Sequence, residues 1–238
     1  MEFRLTYEGL LFPTKKERRP DHKHDIRKAF HKQLARLWRL NPYLSVARAV
    51  TFVKGDLKTA YDAAFQRMRP LVQVGFYPPG IAYPIKEEVE AAMNGMWKTG
   101  EQSLLDYLAN NFQRCGYRFV PLVRGDLSLI TSIHILFLRP DVPGSLIRSG
   151  DIDNRLLTIF DALKMPESKD DLAGATPAPD EDPFFVLLQD DKLITNLSVE
   201  TDMLLEPTGA EWDDNDSRLI ITVKIRPYDI NPANERFG

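Results

Sequence analysis

Apolar and polar residues alternate at the start of the chain, which predicts a first β-strand over residues 2–12. Phe3, Leu5 and Tyr7 fall on one side of that segment, because successive side chains of a strand point to opposite faces. Strand character returns in four later segments, residues 117–123, 127–138, 193–204 and 218–226. In 127–138 apolar residues also occupy part of the second face, which predicts a strand near the centre of a sheet.

Apolar residues at three- and four-residue spacing predict the helices. Asp25 is the expected N-cap of a helix that runs to about Leu40. One face of this helix is apolar, and the rest is covered by Arg27, Lys28, Lys32, Arg36 and Arg39. A second amphipathic helix is predicted over residues 154–164. The sequence therefore predicts a basic helix near the N-terminus and an apolar-faced helix near the middle of the chain.

These elements together predict an α+β (α/β mixed) fold, in which helices pack on a mixed β-sheet. Residues 1–40 and 117–238 are the expected core. Residues 41–116 are predicted to be a mostly helical insertion of unknown role, with helices at 45–53, 56–68, 85–97 and 102–114. Residues 165–183 are rich in Pro, Ala and acids and poor in large apolar residues, which predicts an exposed, mobile loop.

Composition places the chain among soluble globular proteins. With 238 residues, of which 43% are hydrophobic, the chain is long enough to bury a core. Its one cysteine, Cys115, cannot form an internal disulfide and is expected to be half-buried and structural. The beginning of the chain does not resemble a signal peptide, and its most apolar run is too short to span a bilayer. We expect a cytoplasmic protein of bacterial or phage type that does not contact membranes.

Charge is distributed unevenly along the chain, although the net charge is only −3. Residues 14–40 contain ten Lys or Arg and three acids, a net charge of +7. Residues 165–238 contain 17 acids and 6 bases, a net charge of −11. A basic segment beside an acidic one is typical of phosphate contacts next to a metal site. A solvated helix face with acidic loops would produce the same pattern.

The chemistry of the chain is concentrated in two acidic motifs. Asp151 and Asp153 flank Ile152 in the first, and in an extended segment their carboxylates would point to the same side. Mg²⁺ prefers hard oxygen ligands of this kind. The second motif, Asp190-Asp191, directly precedes a predicted strand. Each motif also has a structural interpretation, as a helix cap or as an exposed turn.

Taken together, the two motifs resemble the RusA family of Holliday junction resolvases. Asp151-Ile152-Asp153-Asn154, followed by Asp161-Ala162-Leu163, is similar to the family pattern D-x-D-N…D-A-L, and Asp190-Asp191 matches its later Asp pair. The order of predicted strands and helices around the motifs agrees. The resemblance covers about residues 1–40 and 120–226.

The resemblance implies a homodimeric endodeoxyribonuclease of recombination and repair that cuts branched DNA with Mg²⁺, or with Mn²⁺. Asp151, Asp153 and Asp191 would be the catalytic metal ligands, supported by Asp190 and Asn154, and Asp161 would have a structural role. The DNA backbone would be bound by basic residues of the N-terminal segment, which we expect to be Lys15, Lys16, Arg18, Arg19, Lys28, Lys32 and Arg36.

The chain departs from the family pattern in three places. Leu157 stands where the family has a catalytic lysine, four residues after the second Asp, and Arg155, Lys164 or Lys192 would have to replace it. The segment between the second helix and the Asp pair is unusually long, and residues 41–116 are an addition. An alternative is therefore a RusA-like module that binds nucleic acid or a protein partner without efficient cleavage. A third interpretation is an unrelated α+β protein whose aspartates form caps and turns.

Overall fold

The computed structural model describes residues 1–14, 19–45, 47–50, 101–142, 152–230, 234 and 237, with the backbone alone at 48–50, 101 and 102. Predicted helices at 56–68 and 85–97 lie outside the described residues, as do Asp151, Lys15, Lys16 and Arg18. The described elements mix sheets with helices, so the predicted α+β class is confirmed.

A four-stranded sheet forms the centre of the fold. In the described part of the chain its strand order is β1 (Glu2–Leu10), β9 (Asp216–Pro227), β6 (Leu129–Arg139) and β8 (Ile194–Met203). β6 pairs antiparallel with β9 and parallel with β8, and β1 pairs antiparallel with β9. The predicted central position of β6 is confirmed. One of its faces is fully buried, and the other is half-exposed.

A second sheet of three strands lies beside the first. β5 (Tyr117–Val123) pairs antiparallel with the short β4 (Gln113–Arg114) and parallel with β7 (Phe184–Leu188). Every residue of β7 is buried, since α1 covers one side of it and the 165–183 segment contributes to the other.

Helix α1 (Pro20–Leu40) begins five residues before the predicted cap Asp25, which is exposed within the helix. Pro20 occupies the first turn, where a missing N–H costs nothing, and Arg19 precedes it in a left-handed conformation with φ 30°. The helix buries Ile26, Phe30, Leu34 and Trp38 in the main core, as its apolar spacing predicts.

The described ends of the 41–116 block match the helical prediction in part. The helix predicted over 102–114 is present as α3 (Leu104–Asn111). Ser103 caps it by accepting from the Asp106 N–H, and Leu104 and Leu108 are buried in the same core as the main sheet. The helix predicted over 45–53 is wrong, because β2 (Arg48–Val50) pairs antiparallel with β3 (Glu101–Ser103) after the short helix α2 (Pro42–Ser45).

Residues 165–183 form a docked segment rather than the exposed loop that their composition predicts. Two short 3₁₀ turns, Asp170–Leu172 and Pro179–Glu181, lie within it. Met165 and Leu172 are buried in a second apolar cluster with residues of β5 and β7. A few buried anchors are sufficient to order a polar segment when the fold supplies a cavity for them.

Polar side chains of α1 also hold this segment. Arg27, predicted to be on the exposed face, is 2% exposed and donates to the carbonyl oxygens of Asp161 at 2.6 Å and Asp171 at 3.2 Å. Burial lowers its pKa to about 10. The imidazole of His31 lies 3.1 Å from the Asp180 oxygen and accepts from the Phe185 N–H at 2.8 Å. Arg27 is therefore a structural residue and is not available to DNA.

Cys115 is half-buried beside the second apolar cluster, as expected. His134 lies on β6. Its ring is 46% exposed on the open face of the sheet, where it hydrogen bonds to Ser198 at 2.7 Å. No described helix is long and apolar enough to cross a membrane.

Candidate functional site

The first acidic motif lies at the start of helix α4 (Ile152–Leu163). Asp153 is exposed in the first turn, and the buried Asn154 side chain donates to its Oδ1 at 2.9 Å. Because Ile152 and Asp153 are already helical, the extended geometry expected for this motif does not apply to them. This hydrogen bond from Asn154 fixes the orientation of the Asp153 carboxylate.

Buried polar contacts fix the start of α4 against the ends of β1 and β9. Arg155 is 4% exposed; it donates to the Leu11 oxygen and, at 3.2 Å, to Asn215 Oδ1. The hydroxyl oxygens of Thr158 and Thr14 lie 2.8 Å apart. Arg155 is therefore committed to holding the helix and does not take the place of the lysine in the RusA pattern.

The predicted basic segment begins at the same place. The Thr14 hydroxyl donates to the Asn154 oxygen at 3.1 Å, so residue 14 touches the residue next to Asp153. Residues 15–19 contain four bases, and Arg19 is the one that the structure describes. The Arg19 guanidinium lies 4.2 Å from the centre of the Phe12 ring. Thr14, at the beginning of the basic segment, thus lies against Asn154 of the D-x-D-N motif.

The second acidic motif forms a turn between β7 and β8. Asp190 caps the 3₁₀ turn Asp191–Leu193 by accepting from the Lys192 N–H at 3.0 Å. The Lys192 ammonium lies 3.0 Å from the second Asp190 oxygen, and these bonds lower the pKa of Asp190. Lys192 itself is largely exposed. The capping hydrogen bond and the ion pair together account for the positions of Asp190 and Lys192 without a bound ligand.

Asp191 pairs with Lys164 at the far end of α4. Lys164 Nζ lies 2.8 Å from Asp191 Oδ2, 3.5 Å from a Glu167 oxygen and 3.7 Å from Asp161 Oδ1. Asp161 Oδ2 in turn lies 2.6 Å from Lys23 Nζ. Burial lowers the pKa of Lys164, but the hydrogen bond and charge of Asp191 outweigh burial, so the pKa is raised. Lys164 is thus a fully charged link between α4 and the turn before β8.

The structure does not bring Asp153 and Asp191 together. Asp153 lies in the first turn of α4. Arg155 of the same turn contacts Asn215, which precedes β9 at the end of the sheet where Leu138 of β6 pairs with Arg218. Asp191 precedes Ile194, which pairs with Thr131 at the start of β6. From Thr131 to Leu138 a strand extends by about 23 Å. Carboxylates that share one Mg²⁺ lie within roughly 5 Å of each other, and the described residues contain no group of three metal-ligating side chains.

A cationic stripe follows the exposed side of α1. It consists of Lys28, Lys32, Arg36 and Arg39, spaced by three or four residues along one helix face. Lys28 is half-buried and lies 3.5 Å from a Glu181 oxygen. The other three are exposed, and no described acid lies within ion-pair distance of them. These three side chains are therefore available to a polyanion.

Leu157, which stands where the RusA pattern has a lysine, is 52% exposed. It lies one helical turn after Asp153, so the two side chains are neighbours on the helix surface. Lys164 and Lys192 are both at the Asp191 end of the fold. Neither of these two lysines therefore lies next to Asp153, where the RusA pattern has its lysine.

Two positions that matter to the arrangement were missed by sequence reasoning. Thr14 and Lys23 each contact α4 across more than 130 residues of chain. A threonine in a loop and a lysine on a basic helix have no local pattern that predicts such contacts.

Comparison with protein-family models, with curated proteins and with solved structures finds no match to this chain.

Proposed function

We propose that this protein binds DNA through its N-terminal basic segment and cuts phosphodiester bonds with Mg²⁺ at the start of α4. The observation that carries the proposal is the contact between Thr14 and Asn154. It puts the beginning of the most basic part of the chain against the D-x-D-N motif. Phosphate binding and carboxylate ligands for a cation then lie side by side.

Asp151 and Asp153 are the proposed metal ligands. Mg²⁺ in proteins is often held by one or two carboxylates, with water and substrate phosphate oxygens completing its shell. A bound Mg²⁺ supplies an activated water and neutralises charge on the scissile phosphate. Asp191 of the same chain does not fit this site, because it lies at the other end of β6. Asp191 is therefore left out of the proposed ligand set.

The residues of the chain itself hold the substrate. The basic segment that follows Thr14 contacts phosphates next to the cleavage point. Lys32, Arg36 and Arg39 extend the contact along α1, where one helical turn advances about 5.4 Å. Such contacts are independent of base sequence, which agrees with the RusA-like preference for DNA shape.

Nicking of a synthetic four-way junction in Mg²⁺ tests the cleavage step. Asp153→Asn is expected to reduce cleavage at least about a hundredfold, as loss of a charged metal ligand does. Asp191→Asn is the matched control, because it removes the same charge at the opposite end of the fold, and it is expected to retain most of the activity. Magnesium-dependent stabilisation in thermal melts is a second readout and should disappear in Asp153→Asn alone.

Each result of this experiment has a defined meaning. Equal loss in both variants would mean that Asp191 acts at the cleavage site, which contradicts the two-ligand arrangement. Equal cleavage by wild type and Asp153→Asn would eliminate the proposed site.

Binding of the same junction in EDTA tests the DNA contact by itself. Lys32→Ala/Arg36→Ala is expected to weaken binding by at least about tenfold. Lys169→Ala/Lys192→Ala removes two exposed lysines from the acidic half and serves as the charge-matched control, with little expected effect. Equal weakening in both double variants would indicate a non-specific dependence on net charge.

A second candidate function is DNA binding without efficient cleavage. The exposed Leu157 favours it, since an apolar side chain occupies the position next to Asp153 where the family has a lysine. This candidate predicts that the wild type binds the junction and leaves it intact. It also predicts that Leu157→Lys creates or increases nicking, whereas Leu157→Met does not.

A further inference from the structure

The 165–183 segment and helix α1, which pack against each other, carry opposite charge. The segment contains six acids and one base, a net charge of −5, and α1 contains six bases and two acids, a net charge of +4. Arg27 and His31 of α1 contact backbone oxygens of the segment, at Asp171 and Asp180. An acidic part of this chain therefore lies on the helix that is proposed to bind the DNA backbone.

Glu181 is the residue at which the segment meets the cationic stripe of α1. One of its carboxylate oxygens accepts from the Ala178 N–H at 3.1 Å and lies 3.5 Å from the Tyr117 hydroxyl oxygen. The other oxygen lies 3.5 Å from Lys28 Nζ. Because Glu181 is buried and held by these contacts, its charge is fixed beside Lys28, the first cation of the stripe.

Asp180 carries the negative charge of the segment further along the stripe. Burial lowers the pKa of the His31 imidazole; the charge of Asp180 opposes this shift and that of Lys32 adds to it, so both side chains lie near the ring. Lys32 follows Lys28 by one helical turn, and Asp180 is exposed. A phosphate backbone that reached Lys28 would therefore meet two carboxylates, and like charges at short distance repel each other.

We propose that the 165–183 segment is an autoinhibitory strap, in which Glu181 competes with the DNA backbone for Lys28. This inference rests on the proposed DNA binding by α1 and adds its regulation. The other three cations of the stripe make the first contacts with DNA, and a phosphate then displaces Glu181 from Lys28. Lys28 is 38% exposed, and ion pairs of partly exposed side chains contribute little to stability, so the exchange does not require the fold to open.

Removal of the Glu181 charge tests the competition. Glu181→Gln keeps an amide oxygen for the Ala178 N–H and releases Lys28, so the affinity of the full chain for a four-way junction in EDTA is expected to rise about three- to fivefold. Glu200→Gln is the matched control, because it removes the same charge beside His134 on the open face of the sheet, whereas α1 packs on the core face. Its affinity is expected to stay within about 1.5-fold of the wild type.

A Lys28→Ala background separates the competition from charge repulsion alone. In this background the gain produced by Glu181→Gln is expected to fall below about twofold, because the carboxylate then has no cation to occupy. An equal gain in both backgrounds would overturn the competition for Lys28. Far-UV circular dichroism shows whether Glu181→Gln is folded. If it is not, Asp180→Asn at its exposed position replaces it, with an expected gain of about twofold, and an unchanged affinity would overturn the strap.

The outcomes for the strap and for the DNA contact are distinct. Equal affinity of the wild type and Glu181→Gln for the junction would overturn the strap and leave the proposed DNA contact intact. Binding by Glu181→Gln alone would support both. Binding by neither protein would overturn the DNA contact, and the strap with it.

Discussion

Lys164, which directly follows α4, is the residue at which three carboxylates converge. Its side chain is 18% exposed, and its ammonium group lies near the carboxylates of Asp161, Glu167 and Asp191. Asp161 is held separately by Lys23. Lys23, Asp161, Lys164 and Asp191 thus alternate in charge from α1 through α4 to the turn before β8, and each carboxylate of this series has a cation beside it.

This alternation predicts a measurable coupling between Lys164 and Asp191. Lys164→Met and Asp191→Asn should each destabilise the fold, and the double variant should lose less than the sum of the two. A coupling of about 0.5–1 kcal/mol is expected, because Asp191 is half-exposed to solvent. Urea unfolding of the four proteins in the cycle measures it. Strict additivity would show that the ion pair does not stabilise the fold.

His24 and His31 make stability depend on pH. Burial, together with the charges of Arg27 and Lys28, lowers the pKa of His24 to about 4, and burial also lowers the pKa of His31. The folded protein therefore binds fewer protons than the unfolded chain below about pH 6.5, the ordinary value for histidine. Stability is expected to fall as the pH is lowered from about 6.5 towards 4.

His31→Asn provides the test of this pH dependence. The amide oxygen can accept from the Phe185 N–H as the ring nitrogen does, but the side chain does not titrate. The loss of melting temperature on acidification should become smaller in this variant. His134→Asn, at an exposed position, is the control and should keep the wild-type pH profile. An unchanged profile in His31→Asn would assign the acid sensitivity to other groups.

At the scale of elements, the 165–183 segment is docked on the core, whereas its composition predicts an exposed loop. Leu172 is fully buried, although its neighbours are acids and small residues. Leu172→Ala should therefore cost about 2–4 kcal/mol of unfolding free energy and expose the segment to limited proteolysis. Leu205→Ala, at an exposed position, should change stability by less than about 0.5 kcal/mol. Equal protease resistance in both variants would contradict the docking.

The positions of the helices and strands show which sequence patterns predict an element without tertiary information. β1 and β9 lie where their alternation predicts them, because each has one face against the core and a more exposed one. β8 lies within the predicted strand-like segment 193–204. The starts of α1 and α4 were displaced. Both Asp25 and Asn154 are good capping residues, but the fold begins each helix earlier. A capping residue favours a boundary without excluding an earlier one.

At the scale of the molecule, charge is separated between the N-terminal and C-terminal parts of the chain. The exposed cations of α1 are expected to dominate the approach of DNA, because a polyanion is repelled by the acidic C-terminal part. The affinity for the junction should therefore fall steeply with salt. In Lys32→Ala/Arg36→Ala the slope of log affinity against log salt should decrease by about one to two. An unchanged slope would mean that these residues make no phosphate contacts.

The sequence by itself determined the fold class, the central strand, the basic helix and the acidic motifs, because each depends on residue type and spacing within one short segment. Only the tertiary structure decided which motifs are neighbours. It put Thr14 beside Asn154, turned Arg27 into the core, and left Asp153 and Asp191 at opposite ends of β6. Contacts between residues far apart in the chain depend on strand order and register, and no single segment encodes either.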